Sequence, residues 1–88
     1  MEGVDTMNKE KLRQVFNKAE EDKMDIAIEL ILPERKEPEI IIVKNSNLRY
    51  KLEYYENTYN DELRHMLNSN IKMRDVYVID FVPNYMQF

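Results

Sequence analysis

The feature that most constrains the fold of this chain is an apolar stripe at helical spacing. Its members recur at steps of 4, 3, 4, 4 and 3 residues along the sequence. They are Leu48, Leu52, Tyr55, Tyr59, Leu63 and Met66. Because residues three and four apart share one face of an α-helix, the stripe predicts a long amphipathic helix between Asn47 and Asn68. Low helix propensity from Asn57 to Asp61 leaves a kink, or a division into two shorter helices, as the alternative.

Two strand-like segments precede this helix. Ile26 to Leu32 shows alternating character, and Glu39 to Lys44 contains four consecutive β-branched residues. Between them, two prolines bracket four charged residues and predict a turn, because Pro cannot donate to a strand ladder. We therefore predict an antiparallel hairpin whose second strand is buried on both faces.

An additional helix is predicted near the start of the chain. Asp5 or Thr6 is its predicted cap, and it ends between Asp22 and Asp25. Its narrow apolar face consists of Leu12, Val15, Phe16 and Ala19. The other positions are mostly charged or amide residues, so this helix should lie on the surface with one side packed.

The last predicted strand runs from Ile71 to Val82. Its apolar residues change phase at Arg74 and Asp75. Either both faces of the strand are buried beyond that point, or a bulge shifts its register. The order α-β-β-α-β predicts an α+β fold, with a three-stranded, largely antiparallel sheet packed by two helices. A right-handed crossover that brings the last strand parallel to a hairpin strand is the alternative.

Length and composition predict one small domain. The chain has 88 residues and no Cys, so it lacks disulfides and thiolate metal sites. No apolar run approaches the ~20 residues of a membrane helix, and the acidic N-terminus lacks a signal-peptide core. We predict a cytoplasmic protein with no membrane segment and no cofactor. Residues 1–5 and 84–88 are predicted to be flexible or docking tails.

The charge balance disfavours direct binding to nucleic acid. The net charge is −4, from 13 basic and 17 acidic side chains, and phosphate contact is driven by Lys and Arg. A nucleic-acid-binding accessory protein stays open as an alternative if basic residues gather on one face. The candidates for such a face are Lys9, Arg13, Lys18, Arg49 and Lys51. An acidic surface that imitates nucleic-acid phosphates is a further variant.

The sequence offers little for catalysis. The chain has one His and one Gly, whereas a phosphate-binding loop needs several glycines. His65 lies three and four residues from Glu62 and Asp61, so a small hydrolytic or metal-assisted enzyme that uses His65 is the enzymatic alternative. One His with scattered acids is no metal signature. We predict no catalytic, cofactor-binding or metal-binding residue.

Candidate partner-binding residues lie on the long helix and in the C-terminal segment. Tyr50 and Tyr54 are one helical turn apart on a side distinct from the stripe, with Arg49, Lys51 and Glu53 nearby. Tyr and Arg are favoured at interaction hot spots. The apolar C-terminal segment adds Tyr85 and Phe88. Because three strands and two helices leave apolar surface uncovered, we also expect a homodimer, formed by a sheet edge or a sheet face.

The segment KLEYYENTYNDEL, from Lys51 to Leu63, stands between a hairpin and a closing strand. In this setting it resembles small uncharacterised proteins encoded by phages and mobile elements of Gram-positive bacteria, over residues 26–81. The resemblance implies a small acidic protein that binds and modulates or inhibits a host protein. Frequent Asn, Ile and Lys with few Ala, Gly and Pro also indicate an AT-rich genome.

Overall fold

The computed structural model describes residues 7–80. Its elements, in chain order, are helix α1 (Lys9–Asp22), strand β1 (Asp25–Ile31), strand β2 (Glu39–Val43), a 3-10 turn (Asn45–Asn47), helix α2 (Leu48–Thr58) and strand β3 (Lys72–Ile79). The predicted order α-β-β-α-β is confirmed. The predicted tails, residues 1–5 and 84–88, lie outside the described residues.

The three strands form one antiparallel sheet in the order β2-β1-β3. β1 is therefore the central strand, and both of its neighbours run opposite to it. The two helices pack on this sheet, which confirms the α+β architecture. The alternative of a parallel last strand is wrong.

The hydrophobic core lies between the sheet and the helices. From β1, Ile26 and Ile28 have no exposed surface. From α1, Leu12, Phe16 and Ala19 are buried, as the predicted apolar face requires, and Val15 packs at the margin. Burying a side chain of this size contributes about 1.5–3 kcal/mol, so this layer accounts for much of the stability.

The opposite side of the sheet, here called the open face, is not covered by either helix. Ile40 and Ile42 are 49% and 40% exposed there, and Ile31 and Tyr77 are exposed as well. Successive residues of a strand point to opposite faces, so only alternate residues of β2 reach the core. The prediction that β2 is buried on both faces is wrong.

A bulge interrupts the pairing of β1 with β3. Glu29 lies opposite Asp75 and Leu30 lies opposite Met73, which leaves Arg74 as the extra residue. The extra residue moves the later apolar residues of β3 onto the helix side. The change of phase read from the sequence is thus confirmed as a bulge.

Helix α2 is shorter than predicted. It ends at Thr58, inside the segment of low propensity, and no second helix follows within the described residues. The side chain of Asn60 accepts hydrogen bonds from the backbone N–H groups of Glu62 (2.9 Å) and Arg64 (3.0 Å). These hydrogen bonds stabilise a turn in place of further helical bonding. The prediction of one helix to Asn68 is therefore wrong, because α2 ends at Thr58.

The stripe nevertheless stays largely buried beyond the end of α2. Tyr59 is 3% exposed and Leu63 has no exposed surface, whereas Met66 is 54% exposed. Leu63 reaches the core through a backbone with a φ of 61° rather than through a helical turn. Tyr59 and Leu63 are thus buried in the core as the stripe predicts, although the hydrogen bonds of the turn at Asn60 give the backbone a non-helical conformation there.

Helix α1 begins at Lys9, two or three residues later than a cap at Thr6 or Asp5 predicts. Its cap is Asn8, whose side-chain oxygen accepts a 2.8 Å hydrogen bond from the N–H of Lys11. Asn is among the strongest capping residues. The expected caps Asp5 and Thr6 precede the described residues.

Helix α1 ends at a left-handed residue that is not glycine. Lys23 has φ 58° and ψ 45°, and its N–H bonds to the helix carbonyls of Ala19 and Glu20. Replacing Lys23 with glycine is expected to raise the free energy of unfolding by about 0.5 kcal/mol, because glycine adopts this conformation without a Cβ clash. Urea denaturation measures the change.

The matched control for this prediction is Lys18→Gly. Lys18 is exposed within the helix, where glycine costs about 1 kcal/mol. The two substitutions should therefore move the urea midpoint in opposite directions. A lower midpoint for Lys23→Gly would contradict the prediction.

Candidate protein-interaction surface

Helix α2 has a buried side and an exposed side. Leu48 and Tyr55 are buried against the core and Leu52 packs beside them. The 3.6-residue period then turns the residues between them outwards. Tyr50 and Tyr54 are 76% and 50% exposed, as expected for positions one turn apart on the outer side.

An open depression of about 390 Å³ lies on this outer side. Its described lining, here called the tyrosine surface, consists of Tyr50, Lys51, Glu53, Tyr54 and Asn57. The surface therefore combines two aromatic rings, one carboxylate, one ammonium group and one amide. Exposed tyrosines provide large contact area together with a polar hydroxyl, which suits a protein interface.

The ring of Tyr54 is held in place by its neighbours. It meets the buried ring of Tyr55 edge to face at 5.1 Å between centroids, and the Lys51 ammonium lies 5.6 Å from its centroid. Tyr55 in turn packs against Phe16 at 6.4 Å and Tyr59 at 5.8 Å. An exposed ring that is already ordered loses little side-chain entropy on binding.

The structure does not place Arg49 with the two tyrosines. Its guanidinium lies 3.3 Å from the Glu20 carboxylate on α1. It lines a second cleft, of about 200 Å³, whose other described residues are Phe16, Asn17, Glu20, Leu48 and Leu52. Of the six predicted partner-binding residues, Tyr50, Glu53 and Tyr54 lie together, Arg49 lies in the other cleft, and Tyr85 and Phe88 lie outside the described residues.

Most basic side chains that were candidates for nucleic-acid contact already bind acceptors of this chain. Arg13 pairs with the carboxylate of Glu56, and the Lys9 ammonium lies 2.7 Å from the backbone oxygen of the same residue. Lys18 pairs with Asp22 at 3.3 Å on α1 itself. The two ion pairs offset positive charge that a phosphate backbone would need, and the Lys9 contact holds its ammonium against this chain.

His65 lies in the irregular segment after α2, not on a helix. Its Nδ1 accepts a 3.1 Å hydrogen bond from the N–H of Leu67, and its ring meets Tyr59 edge to face at 5.3 Å. The helical spacing that was expected to bring Asp61 and Glu62 beside it does not exist. His65 is half-buried, and its hydrogen bond with the N–H of Leu67 stabilises the local turn.

Two further properties of residues 7–80 bear on function. Neither α1 nor α2 has the length and hydrophobicity that a bilayer span requires. His, Asp and Glu side chains of this part of the chain form no group of three or more that suits a metal ion.

Comparison of the chain with protein-family profiles, with curated protein sequences and with solved structures finds no match.

Sequence reasoning missed one member of the tyrosine surface. Asn57 lies seven residues after Tyr50 and three after Tyr54, so it shares their side of α2. The same helical spacing that linked the two tyrosines predicts this position. The sequence analysis expected uncovered apolar surface but did not identify the residues of the open face, because a run of β-branched residues does not reveal which side stays uncovered.

Proposed function

We propose that this protein is a small binding module without enzymatic activity of its own. It contacts a host protein through the tyrosine surface and modulates or inhibits it, in the setting of a phage or mobile element. The observation that carries the proposal is the pair of exposed rings of Tyr50 and Tyr54. They lie on a helix whose other side packs against the core.

The chemistry of the tyrosine surface favours a protein partner. Tyr rings bury apolar area, and their hydroxyls find hydrogen bonds at the rim of an interface. Glu53 and Lys51 supply one charge of each sign, which suits the mixed charges of a protein surface. A nucleic-acid contact would instead call for an excess of basic groups.

The test compares the unmodified protein with Tyr50→Ala/Tyr54→Ala and with a control, Leu67→Ala. Leu67 is 93% exposed and lies outside the tyrosine surface, so the control removes an exposed apolar side chain of comparable accessibility. All three proteins capture partners from a lysate of a low-GC Gram-positive bacterium, and quantitative mass spectrometry ranks the captured proteins.

We expect one protein to be retained by the unmodified chain and by Leu67→Ala, and to be lost with the double variant. Titration calorimetry with that purified protein should then show affinity reduced by about 100-fold, since two hot-spot tyrosines each contribute about tenfold or more. Equal capture by the double variant, or the absence of any specific partner, would contradict the proposal. Unfolding curves establish that the variants are folded.

A further inference from the structure

The two outer strands of the sheet differ in how their free edges are covered. On the far side of β3, Arg64 pairs with Lys72, and the N–H of Met73 donates to the oxygen of Leu63 at 2.9 Å. The segment after α2 therefore occupies the first part of that edge. β2 pairs with β1 alone, and no backbone hydrogen bond reaches its outer edge from within residues 7–80.

The middle of β2 carries none of the side chains that usually protect an edge strand. Between Ile40 and Val43 it has no Pro, no Gly and no charged residue, and the register of β1 with β2 is free of bulges. Such an edge is a template for another strand. Ile40 and Ile42 add two half-exposed apolar side chains beside it.

We propose that the free edge of β2 pairs with the same edge of a second copy of this chain, antiparallel and about a two-fold axis at Ile41. The result is a continuous six-stranded sheet. In this register Ile40 lies opposite the partner's Ile42, and Ile42 lies opposite the partner's Ile40. Four isoleucines then form one apolar cluster on the joined open faces.

The exposed apolar residues of β2 are placed symmetrically about Ile41, which favours a second copy in this orientation. Ile40 and Ile42 are 49% and 40% exposed on the open face, and antiparallel pairing about Ile41 sets each of them against a comparably exposed isoleucine. The charged residues at the two ends of the strand are paired within the chain, Glu39 with Arg35 and Lys44 with Asp25. The two-fold axis also makes the interface self-complementary, as closed dimers require.

The length of the strand sets the expected strength of this dimer. β2 has five residues, so the interface is small. An interface below about 1,000 Å² supports a weak association, with a Kd of about 10–100 µM. Sedimentation equilibrium between 5 and 500 µM spans this range.

The first test of the register uses cysteine, because the chain contains none. Directly opposed Cα atoms of an antiparallel pair lie about 4.5–5.5 Å apart, within the roughly 4.4–6.8 Å that a disulfide bridges. Ile41→Cys is therefore expected to form a disulfide-linked dimer under mild oxidation. Ile42→Cys, whose two copies are offset by two residues, and Leu67→Cys, which reports random collision, should stay largely monomeric.

The second test exchanges charges at the two outward positions. Ile40→Lys/Ile42→Lys sets like charges opposite each other and should give a monomer at 500 µM. Ile40→Lys/Ile42→Glu sets opposite charges across the same pairs and should restore the dimer. Both positions are 40–49% exposed, so the fold is kept.

Three results would overturn the proposal: a monomeric unmodified protein at 500 µM, a disulfide at position 42 or 67 as fast as at position 41, or identical behaviour of the two charge variants. The tyrosine surface belongs to α2 and the proposed contact to β2, so Tyr50→Ala/Tyr54→Ala should leave the dimer intact. Failure of the dimer and failure of the proposed function are therefore separable.

Discussion

Replacing Asp25 with alanine is expected to lower the free energy of unfolding by about 3 kcal/mol, the effect of breaking a buried charged pair. Asp25 is the buried charged residue of the described core and has no exposed surface. Its carboxylate accepts a 3.0 Å hydrogen bond from the Lys44 ammonium and a 2.8 Å bond from the backbone N–H of Asn45. The substitution removes both bonds.

The position of Asp25 increases this effect, because three elements meet there. The side-chain amide of Asn45 donates to the oxygens of Ala19, near the end of α1, and of Met24, just before β1. Asp25 fixes the backbone of Asn45 and so fixes this bridge. Its removal loosens the end of α1, the start of β1 and the approach to α2 together.

Two variants make the test specific. Asp25→Asn keeps an oxygen for the N–H of Asn45 but loses the charge, so an intermediate loss of about 1–2 kcal/mol is expected. Asp22→Ala is the control, since Asp22 pairs with Lys18 at the surface, where such a pair contributes less than about 1 kcal/mol. Urea denaturation with unchanged m-values measures all three. Equal losses for Asp25→Ala and Asp22→Ala would contradict the prediction.

Alkaline pH is expected to destabilise the fold through Tyr55. Burial, followed by the neighbouring Tyr59 and Tyr54, raises the pKa of Tyr55 from 10.0 to about 12. The folded state therefore holds this proton more tightly than the unfolded chain. The stabilisation is complete below pH 10 and is lost as the pH rises from 10 towards 12, at about 1.4 kcal/mol per pH unit.

Other tyrosines act in the same direction. Burial, with the nearby Tyr54, raises the pKa of Tyr59. The pKa of Tyr77 is also raised, and the largest cause is the hydrogen bond that its hydroxyl donates to Glu29. The loss of stability between pH 10 and 12 should therefore exceed that from Tyr55 alone.

Urea denaturation at pH 8, 9, 10 and 11 tests the alkaline prediction. Tyr55→Phe has no ionisable hydroxyl, so its stability should fall less steeply above pH 10 than that of the unmodified protein. Tyr50→Phe alters an exposed ring and should keep the original slope. The prediction fails if Tyr55→Phe and the unmodified protein lose stability in parallel.

The parts of the fold that the sequence predicts are those that periodicity controls. The order of elements, the apolar face of α1 and the bulge at Arg74 all follow from spacing within a few residues. The end of α2 was harder to predict, because the turn at Asn60 competes with a helix of similar local energy. Exposure of Ile40 depends on which face the helices cover, a tertiary choice that β-branching does not encode.

The candidate site shows the same division. Tyr50 and Tyr54 are recognisable as neighbours because they are one turn apart on a helix. Arg49 was predicted beside them, yet it turns towards Glu20, a residue far away in the chain. Long-range ion pairs of this kind leave no periodic signal in the sequence.

The central position of β1 also sets an order of events in folding. Leu30 pairs with Glu39, close by in the chain, whereas Ile31 pairs with Lys72 across the whole of α2 and the segment after it. Closing a short loop costs less entropy than closing a long one, so we expect the hairpin of β1 and β2 to form before the contact with β3. Before β3 pairs, the backbone N–H and C=O groups on one edge of β1 have no strand partner, and we expect the chain to be most prone to mispairing at that stage.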